Sequence, residues 1–199
     1  MEHLRALFSK LEGMLSFDEA CFLYTFAKAV DRGCIVEIGA YRGLSSVFLC
    51  LGSRAGGGAP VYSVDPHRPF VGVLGGVFGQ KDRDAFYQAM VVSGCGETVS
   101  LINLSSEQFV SSWTEPVSLL WLDGDHRYAA VRRDFECWRP HLTANAVVVF
   151  HDATDESLGP FKLIEELLDT EHFERVASVG SAVAIRCVAS SGNPVSLVL

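Results

Sequence analysis

The feature that most restricts this chain is a regular alternation of short apolar runs with helical segments. Residues 34–38, 61–64, 99–104, 117–122 and 146–150 each read as a strand, most of them bounded by glycine, proline or polar residues. Between them, residues 44–51, 82–93, 106–113 and 126–138 carry apolar side chains at helical spacing. In the last of these, Tyr128, Val131, Phe135 and Trp138 share one face. Strands that are apolar along nearly their whole length are buried on both sides, which requires a parallel sheet with helices above and below it. A further helix, 160–168, leads to two strands, 173–179 and 182–187, joined by a tight turn at Gly180 and Ser181. No helix separates this pair, so it forms a hairpin and brings an antiparallel strand into the sheet.

The fold class is therefore α/β: a Rossmann-like, doubly wound sheet, mostly parallel, with an antiparallel C-terminal hairpin and helices on both faces. One domain, 1–199, is expected, with a helical cap at 1–31 and a Rossmann-like core at 34–187. In the cap, Ser16 and Glu19 form a capping box, and Phe22, Phe26 and Val30 continue at helical spacing. Pro66, Pro69, Gly72, Gly75 and Gly76 make 66–81 a long mobile loop, a kind of segment that often carries function. The tail beyond Cys187 reads as an exit segment with an edge strand at 195–199.

Composition narrows the class of partner. The 199 residues are 49% hydrophobic and 20% charged, which is globular, and the net charge is −8. An acidic chain without a basic stripe argues against nucleic acid and anionic membranes as partners. Arg132 and Arg133 belong to a solvated helix face. No apolar run of transmembrane length is present, and the opening MEHLRALFSKLEG has no signal-peptide core, so a cytoplasmic location is expected. The six cysteines are scattered, without metal-ligand spacing, and read as free thiols.

In open sheets of this kind ligands bind at the carboxyl ends of the strands. Those ends offer Glu37 and Gly39, then Asp65, then Ser105 and Ser106, then Asp123, Asp125 and His126, and finally His151 and Asp152. Five polar strand ends in succession indicate a built site rather than chance. Asp125 is also placed to cap the helix that follows it.

Gly39 and Gly43 allow a sharp turn and close approach of a ligand, and the helix start behind them favours a carboxylate. The bland alternative is an ordinary strand-to-helix turn. A dinucleotide fingerprint needs a glycine where Tyr41 stands, which disfavours a nicotinamide cofactor. Asp65 lies 26 residues beyond Gly39, where a carboxylate can accept from both ribose hydroxyls; a simple cap before Pro66 is its other reading.

The run VEIGAYRGLSS, residues 36–46, closely resembles motif I of class I S-adenosylmethionine-dependent methyltransferases. The chain looks most like the small, metal-dependent O-methyltransferases of the catechol and caffeoyl-CoA type, and like tailoring enzymes that act on sugars and macrolides. The similarity extends over most of 34–187. It implies that Glu37, Gly39 and Gly43 line the cofactor, and that Tyr41 and Ser45 contact its methionine portion, with Ser45 at the carboxylate. It further implies that Asp65 holds the ribose and that Ser106 and Glu107 flank the adenine.

Asp123, His151 and Asp152 offer hard or borderline ligands from two adjacent strand ends, suited to Mg²⁺ or Mn²⁺, with the histidine favouring Mn²⁺, Fe²⁺ or Zn²⁺. The metal-dependent relatives carry an aspartate at the first position and an acidic/amide pair at the second. Asp123 matches, whereas the pair here reads His151 and Asp152, and a hydrogen-bonded polar cluster without metal is the alternative. His126 stands three residues after Asp123, where catechol-type enzymes carry a basic residue. It is the expected general base, against a surface histidine or His151 in that role.

The expected activity is thus methyl transfer to an oxygen of a small-molecule acceptor, with catalysis resting on Asp123 and His126. Related small enzymes often pair, so a homodimer is expected. A nicotinamide-dependent oxidoreductase and a non-catalytic member of the fold are the competing readings. Phe70 and Phe78 are open between core and substrate contact, and Trp113 is assigned to the core.

Overall fold

In the computed structural model, which describes residues 1–188, the apolar runs become strands. These are β1 (Cys34–Ile38), β2 (Val61–Val64), β3 (Phe70–Val71), β4 (Val77–Phe78), β5 (Val99–Ile102), β6 (Val117–Leu122), β7 (Leu142–Phe150), β8 (Phe173–Val179) and β9 (Ala182–Cys187). The helices are α1 (Glu2–Phe8), α2 (Phe17–Lys28), α3 (Leu44–Ala55), α4 (Gln80–Ser93), α5 (Ser106–Val110), α6 (Tyr128–Trp138) and α7 (Gly159–Leu168).

Seven strands form one sheet in the order β5-β2-β1-β6-β7-β9-β8. The first five pair in parallel, and β9 runs antiparallel to both β7 and β8. Strand order reverses between β1 and β6, so a crevice opens at their carboxyl ends. Alternate residues of each strand feed opposite faces. Leu119 and Trp121 join Leu23, Phe48 and Phe86 on the side of α1–α4. Leu120 and Leu122 join Phe135, Trp138 and Ile164 on the side of α6 and α7. The Ser16–Glu19 capping box starts α2 as the sequence predicts.

Several expectations need correction. The glycine- and proline-rich stretch is a hairpin, not a long loop: Phe70 pairs with Phe78 and Val71 with Val77. Gly75, at φ +84°, turns its tip, and the Phe70 and Phe78 rings stack 4.8 Å apart. The residues that suggested a loop are the turn chemistry of a very short ribbon. Asp125 does not cap α6. Its carboxylate accepts from the backbone N–H of Arg127 at 3.1 Å, and Arg127 takes the cap position. His126 therefore lies in the connection before the helix, not in its first turn. The helix expected at 106–113 stops at Val110, and Trp113 packs on Tyr62, Phe109 and Trp138, in the core as assigned. The strand expected at 195–199 lies outside the described residues.

All six cysteines are free thiols. Among the described residues no helix is long and apolar enough to cross a membrane.

Candidate active site

The turn after β1 is built where two strand ends pass closely. Gly39 sits at φ +87°, and a Cβ there would overlap the Asp123 carbonyl at the end of β6. Ala40 and Tyr41 donate their N–H groups to one oxygen of Asp65, at 3.0 and 2.9 Å. The other oxygen accepts from the His67 N–H at 2.7 Å. His67 in turn donates from Nε2 to the Tyr41 carbonyl at 2.7 Å, while its Nδ1 faces the Asn103 amide at 3.1 Å. The turns after β1 and β2 are thereby locked together, with Tyr41 held at φ +46°. Helix α3 then begins without a side-chain cap, so its first N–H groups remain open to an anion, and Ser45 stands beside them.

Glu37 lies beneath this turn, fully buried. One oxygen accepts from the hydroxyls of Ser46 and Ser63, and the other meets no partner. Burial pushes its carboxyl up to about 7, against the hydroxyl donors that favour its charge.

At the ends of β6 and β7, Asp123 faces two imidazoles. His151 Nδ1 is 3.0 Å from Asp123 Oδ1, and His126 Nε2 is 3.4 Å from the same oxygen. Asp152 Oδ2 approaches His126 Nδ1 at 3.5 Å and His151 Nδ1 at 3.7 Å. The far side of His151 meets Glu19 of α2, 3.7 Å from Nε2. Burial works against a charged His151, but Asp123, then Asp152 and Glu19, overcome it and hold the imidazole up to about 9. The Asp123 carboxyl is correspondingly held low by both histidines, although burial opposes its charge. His126 Nε2 is buried and makes no hydrogen bond. One ligand atom each from Asp123, His126 and His151 lie within 4.8 Å of one another, so His126 joins the candidate metal set and Asp152 stands at its edge.

A cavity of about 530 Å³ runs along the carboxyl edge and joins these groups. Of the residues singled out in the sequence, Gly39, Tyr41, Ser45, Asp65, Ser106, Asp123, His126, His151 and Asp152 line it. Three do not. Glu37 is one layer below, Gly43 packs on Phe86, and Glu107 turns outward to pair with Arg133 at 3.4 Å. Phe70 and Phe78 line the cavity, with Phe78 edge-on to Tyr41 at 5.2 Å. The hairpin they belong to is tethered across the mouth by Arg127, which donates to the Val71 carbonyl at 3.1 Å. Sequence reasoning missed His67, Asp134 and the reach of Glu19. Only His67, polar and just past a strand end, carried a readable signal.

A glycine turn after β1, an acidic residue after β2 and a cavity over the switch point define the class I methyltransferase architecture. The chain belongs to the methyltransferase-domain family, which it matches over residues 36–153. Solved structures share the fold at low identity. An O-methyltransferase from Bacillus cereus in complex with SAH is 16% identical, with a TM-score of 0.68 over 94% of this chain and 90% of that one. The O-methyltransferase TomG from Streptomyces achromogenes, in complex with SAM, is 16% identical, with a TM-score of 0.66 over 89% of this chain and 82% of that one. The SAH-bound methyltransferase PaMTH1 from Podospora anserina is 17% identical, with a TM-score of 0.65 over 94% and 87%. The uncharacterized protein y4gI of Sinorhizobium fredii is 30% identical over 126 residues, which cover 59% of this chain and 13% of that much longer protein.

Proposed function

We propose that the protein is an S-adenosylmethionine-dependent O-methyltransferase acting on a small hydroxylated metabolite. The observation that carries this reading is the continuity of one cavity from the open start of α3 and Asp65 to the Asp123–His126–His151 cluster. A cosubstrate end and a proton-handling end share one chamber.

The residues present suit the cosubstrate. The uncapped first turn of α3, with Ser45, fits a carboxylate. Asp65 already accepts two hydrogen bonds at Oδ2 and one at Oδ1, which leaves a lone pair of Oδ1 to accept from a ribose hydroxyl. When bound, S-adenosylmethionine supplies an electrophilic methyl group on sulfur. The protein's part is to orient the acceptor oxygen towards that methyl, to take its proton and to exclude water.

His126 is suited to take the proton. The residue lines the cavity, and its Nε2 lies buried 3.4 Å from Asp123 without a hydrogen bond. Asp152, 3.5 Å from Nδ1, orients the imidazole, Asp123 beside Nε2 stabilises it once protonated, and His151 holds Asp123 from the other side. The hairpin, with Phe70 and Phe78, shields the chamber from solvent.

The Asp123, His126 and His151 set also fits a divalent cation of borderline hardness such as Mn²⁺, Fe²⁺ or Zn²⁺, with Asp152 at hand; such an ion would lower the pKa of an acceptor hydroxyl and take His126 as a ligand in place of its role as base. His151 must give up its proton before it can serve as a ligand.

Calorimetric titration of S-adenosylmethionine, S-adenosylhomocysteine and NAD⁺, each with and without Mn²⁺ or Mg²⁺, tests the reading. Micromolar binding of the two sulfur compounds and none of NAD⁺ is expected. Absence of sulfur-compound binding under every metal condition would overturn it.

A further inference from the structure

The ribbon of β3 and β4 over the cavity mouth is apolar on both of its faces. From Pro69 to Gly79 no side chain carries a polar atom, whereas an exposed hairpin tip is ordinarily built of polar turn residues. Successive residues of a strand point to opposite sides, so the Phe70–Phe78 pair and the Val71–Val77 pair face opposite ways. The phenylalanines line the cavity. The valines do not, and Val71 is 58% and Val77 79% exposed. At the tip, Val73 and Leu74 are 45% and 68% exposed. So concentrated an apolar surface marks a site of contact. An acceptor in the chamber would cover Phe70 and Phe78 and leave the valines in water, so the outer face takes a different occupant. The ribbon is also preformed, by the stacked rings and by the Arg127 bond to the Val71 carbonyl, so docking through it orders no loop.

Charge at the base of the ribbon identifies that occupant. Arg68 immediately precedes the ribbon, and Lys81 and Arg83 follow it in the first turn of α4. None of the three makes an ion pair among the described residues. A helix start disfavours cations, so α4 carries Lys81 and Arg83 at a cost to itself. Of the aspartates in 68–84, Asp82 accepts from Arg42 Nε at 2.8 Å and from the Gly79 N–H at 2.8 Å. Only Asp84 is left to offset three open cations. Apolar side chains that enter the acyl region, ringed by Lys and Arg at the headgroups, are the chemistry of an interfacial anchor. A second copy docked through the same patch would set these cations against their own counterparts, like charge on like.

We infer that the ribbon docks the protein on an anionic lipid surface, with Leu74 and the outer valines entering the leaflet and Arg68, Lys81 and Arg83 meeting the headgroups. The net charge of −8 belongs to the chain as a whole, whereas attraction to a leaflet is set within a Debye length, by the ribbon's own neighbours. Docking brings the rim of the chamber against the lipid, and it is independent of which cosubstrate the chamber holds.

The test is co-sedimentation of the full chain with vesicles of phosphatidylcholine alone or mixed with phosphatidylserine, at low and at physiological salt. The wild type is expected to pellet with the mixed vesicles and to be released as salt rises. Val71→Ser with Val77→Ser should weaken partition by at least about ten-fold, since both side chains lose their apolar transfer. Arg68→Gln with Lys81→Gln and Arg83→Gln should weaken it by roughly a hundred-fold, at the usual worth of a cation near an anionic leaflet. The valines are exposed, so the melting temperature of their variant should match the wild type, and the charge variant gives an independent reading. A wild type that stays in the supernatant at low salt, equal binding to the two kinds of vesicle, or a valine variant that binds like the wild type overturns the proposal. Self-association in sedimentation velocity that the valine variant abolishes, in a protein that leaves vesicles free, assigns the ribbon to a second copy and overturns it as well.

Discussion

Glu19 Oε1 accepts from both the backbone N–H and the hydroxyl of Ser181, at 2.8 and 3.0 Å, and joins positions 162 residues apart. The other oxygen of the same carboxylate closes the capping box with Ser16. The Ser181 carbonyl meanwhile accepts from Ala153 N–H at 2.9 Å, just past the His151–Asp152 pair. Burial opposes a charge on Glu19, yet these donors hold its carboxyl below the usual range. The N-terminal helices, the last hairpin and the end of β7 thus share one anchor. Glu19→Gln exchanges an acceptor for a donor facing two donors. It should cost on the order of 2 kcal/mol in urea unfolding. Turnover should fall as His151 loosens, with S-adenosylhomocysteine affinity unchanged within about two-fold. Unaltered turnover would count against the anchor.

Gly39 tests the turn itself. Alanine there must adopt φ near +87° and press its Cβ into the Asp123 carbonyl. Gly39→Ala is expected to destabilise the fold by about 2 kcal/mol or more and to abolish cosubstrate binding. Thermal melts with and without S-adenosylhomocysteine read both effects. A normal ligand-induced rise in Tm would contradict the placement.

His126 tests the chemistry. His126→Ala should lower kcat by on the order of 10²- to 10⁴-fold, the usual contribution of a general base, and leave S-adenosylhomocysteine affinity nearly untouched. Asp123→Ala should also remove the heat of Mn²⁺ binding. Retention of full turnover by either variant would refute the proton-handling role.

Glu37 makes a pH prediction with a definite sign. Its folded carboxyl is raised to about 7, so between its ordinary range, near 4.5, and 7 the folded state holds more protons than the unfolded state. Stability from this group is therefore lost as pH rises through that window, and levels off above 7. Tm measured from pH 5 to 8 should fall less steeply in Glu37→Gln than in the wild type. Identical slopes would show that Glu37 is already ionised throughout.

Arg127 bridges the Asp125 carboxylate, at 2.7 Å, and the Val71 carbonyl of the hairpin. Arg127→Ala removes the tether from an exposed position. KM for the acceptor should rise several-fold while the midpoint of urea unfolding moves little, because surface groups contribute little to stability. An unchanged KM would separate the hairpin from substrate retention.

The legibility of this chain varies from residue to residue for physical reasons. The strands β1, β2, β6, β8 and β9 fall where the sequence predicts, because glycine, proline or aspartate stops most of them at one end or the other. The ribbon at Phe70 and Phe78 escaped because two-residue strands show no alternation. His126 was placed in a helix because Asp125 looks like a cap, and only the Arg127 guanidinium and N–H, both drawn to Asp125, reveal that the helix starts later. At the site, residues on strand ends were readable as a set. Asp134 was not, since a helical aspartate among Arg132, Arg133 and Glu136 looks like one more solvated charge. Nor could Glu19 show in sequence that its acceptor serves a turn at the opposite end of the chain.

The antiparallel placement of β9 has a consequence for how the protein is made. Because β9 starts beside the end of β7, Gly180 and Ser181 stand next to the histidine pair rather than at the far edge of the sheet. A growing polypeptide emerging from the ribosome exposes the glycine turn, Asp65 and Asp123 early, but Glu19 waits for Ser181, 162 residues further along the chain. The contacts that anchor His151 from the α2 side are therefore completed only after every parallel strand of the sheet has been made.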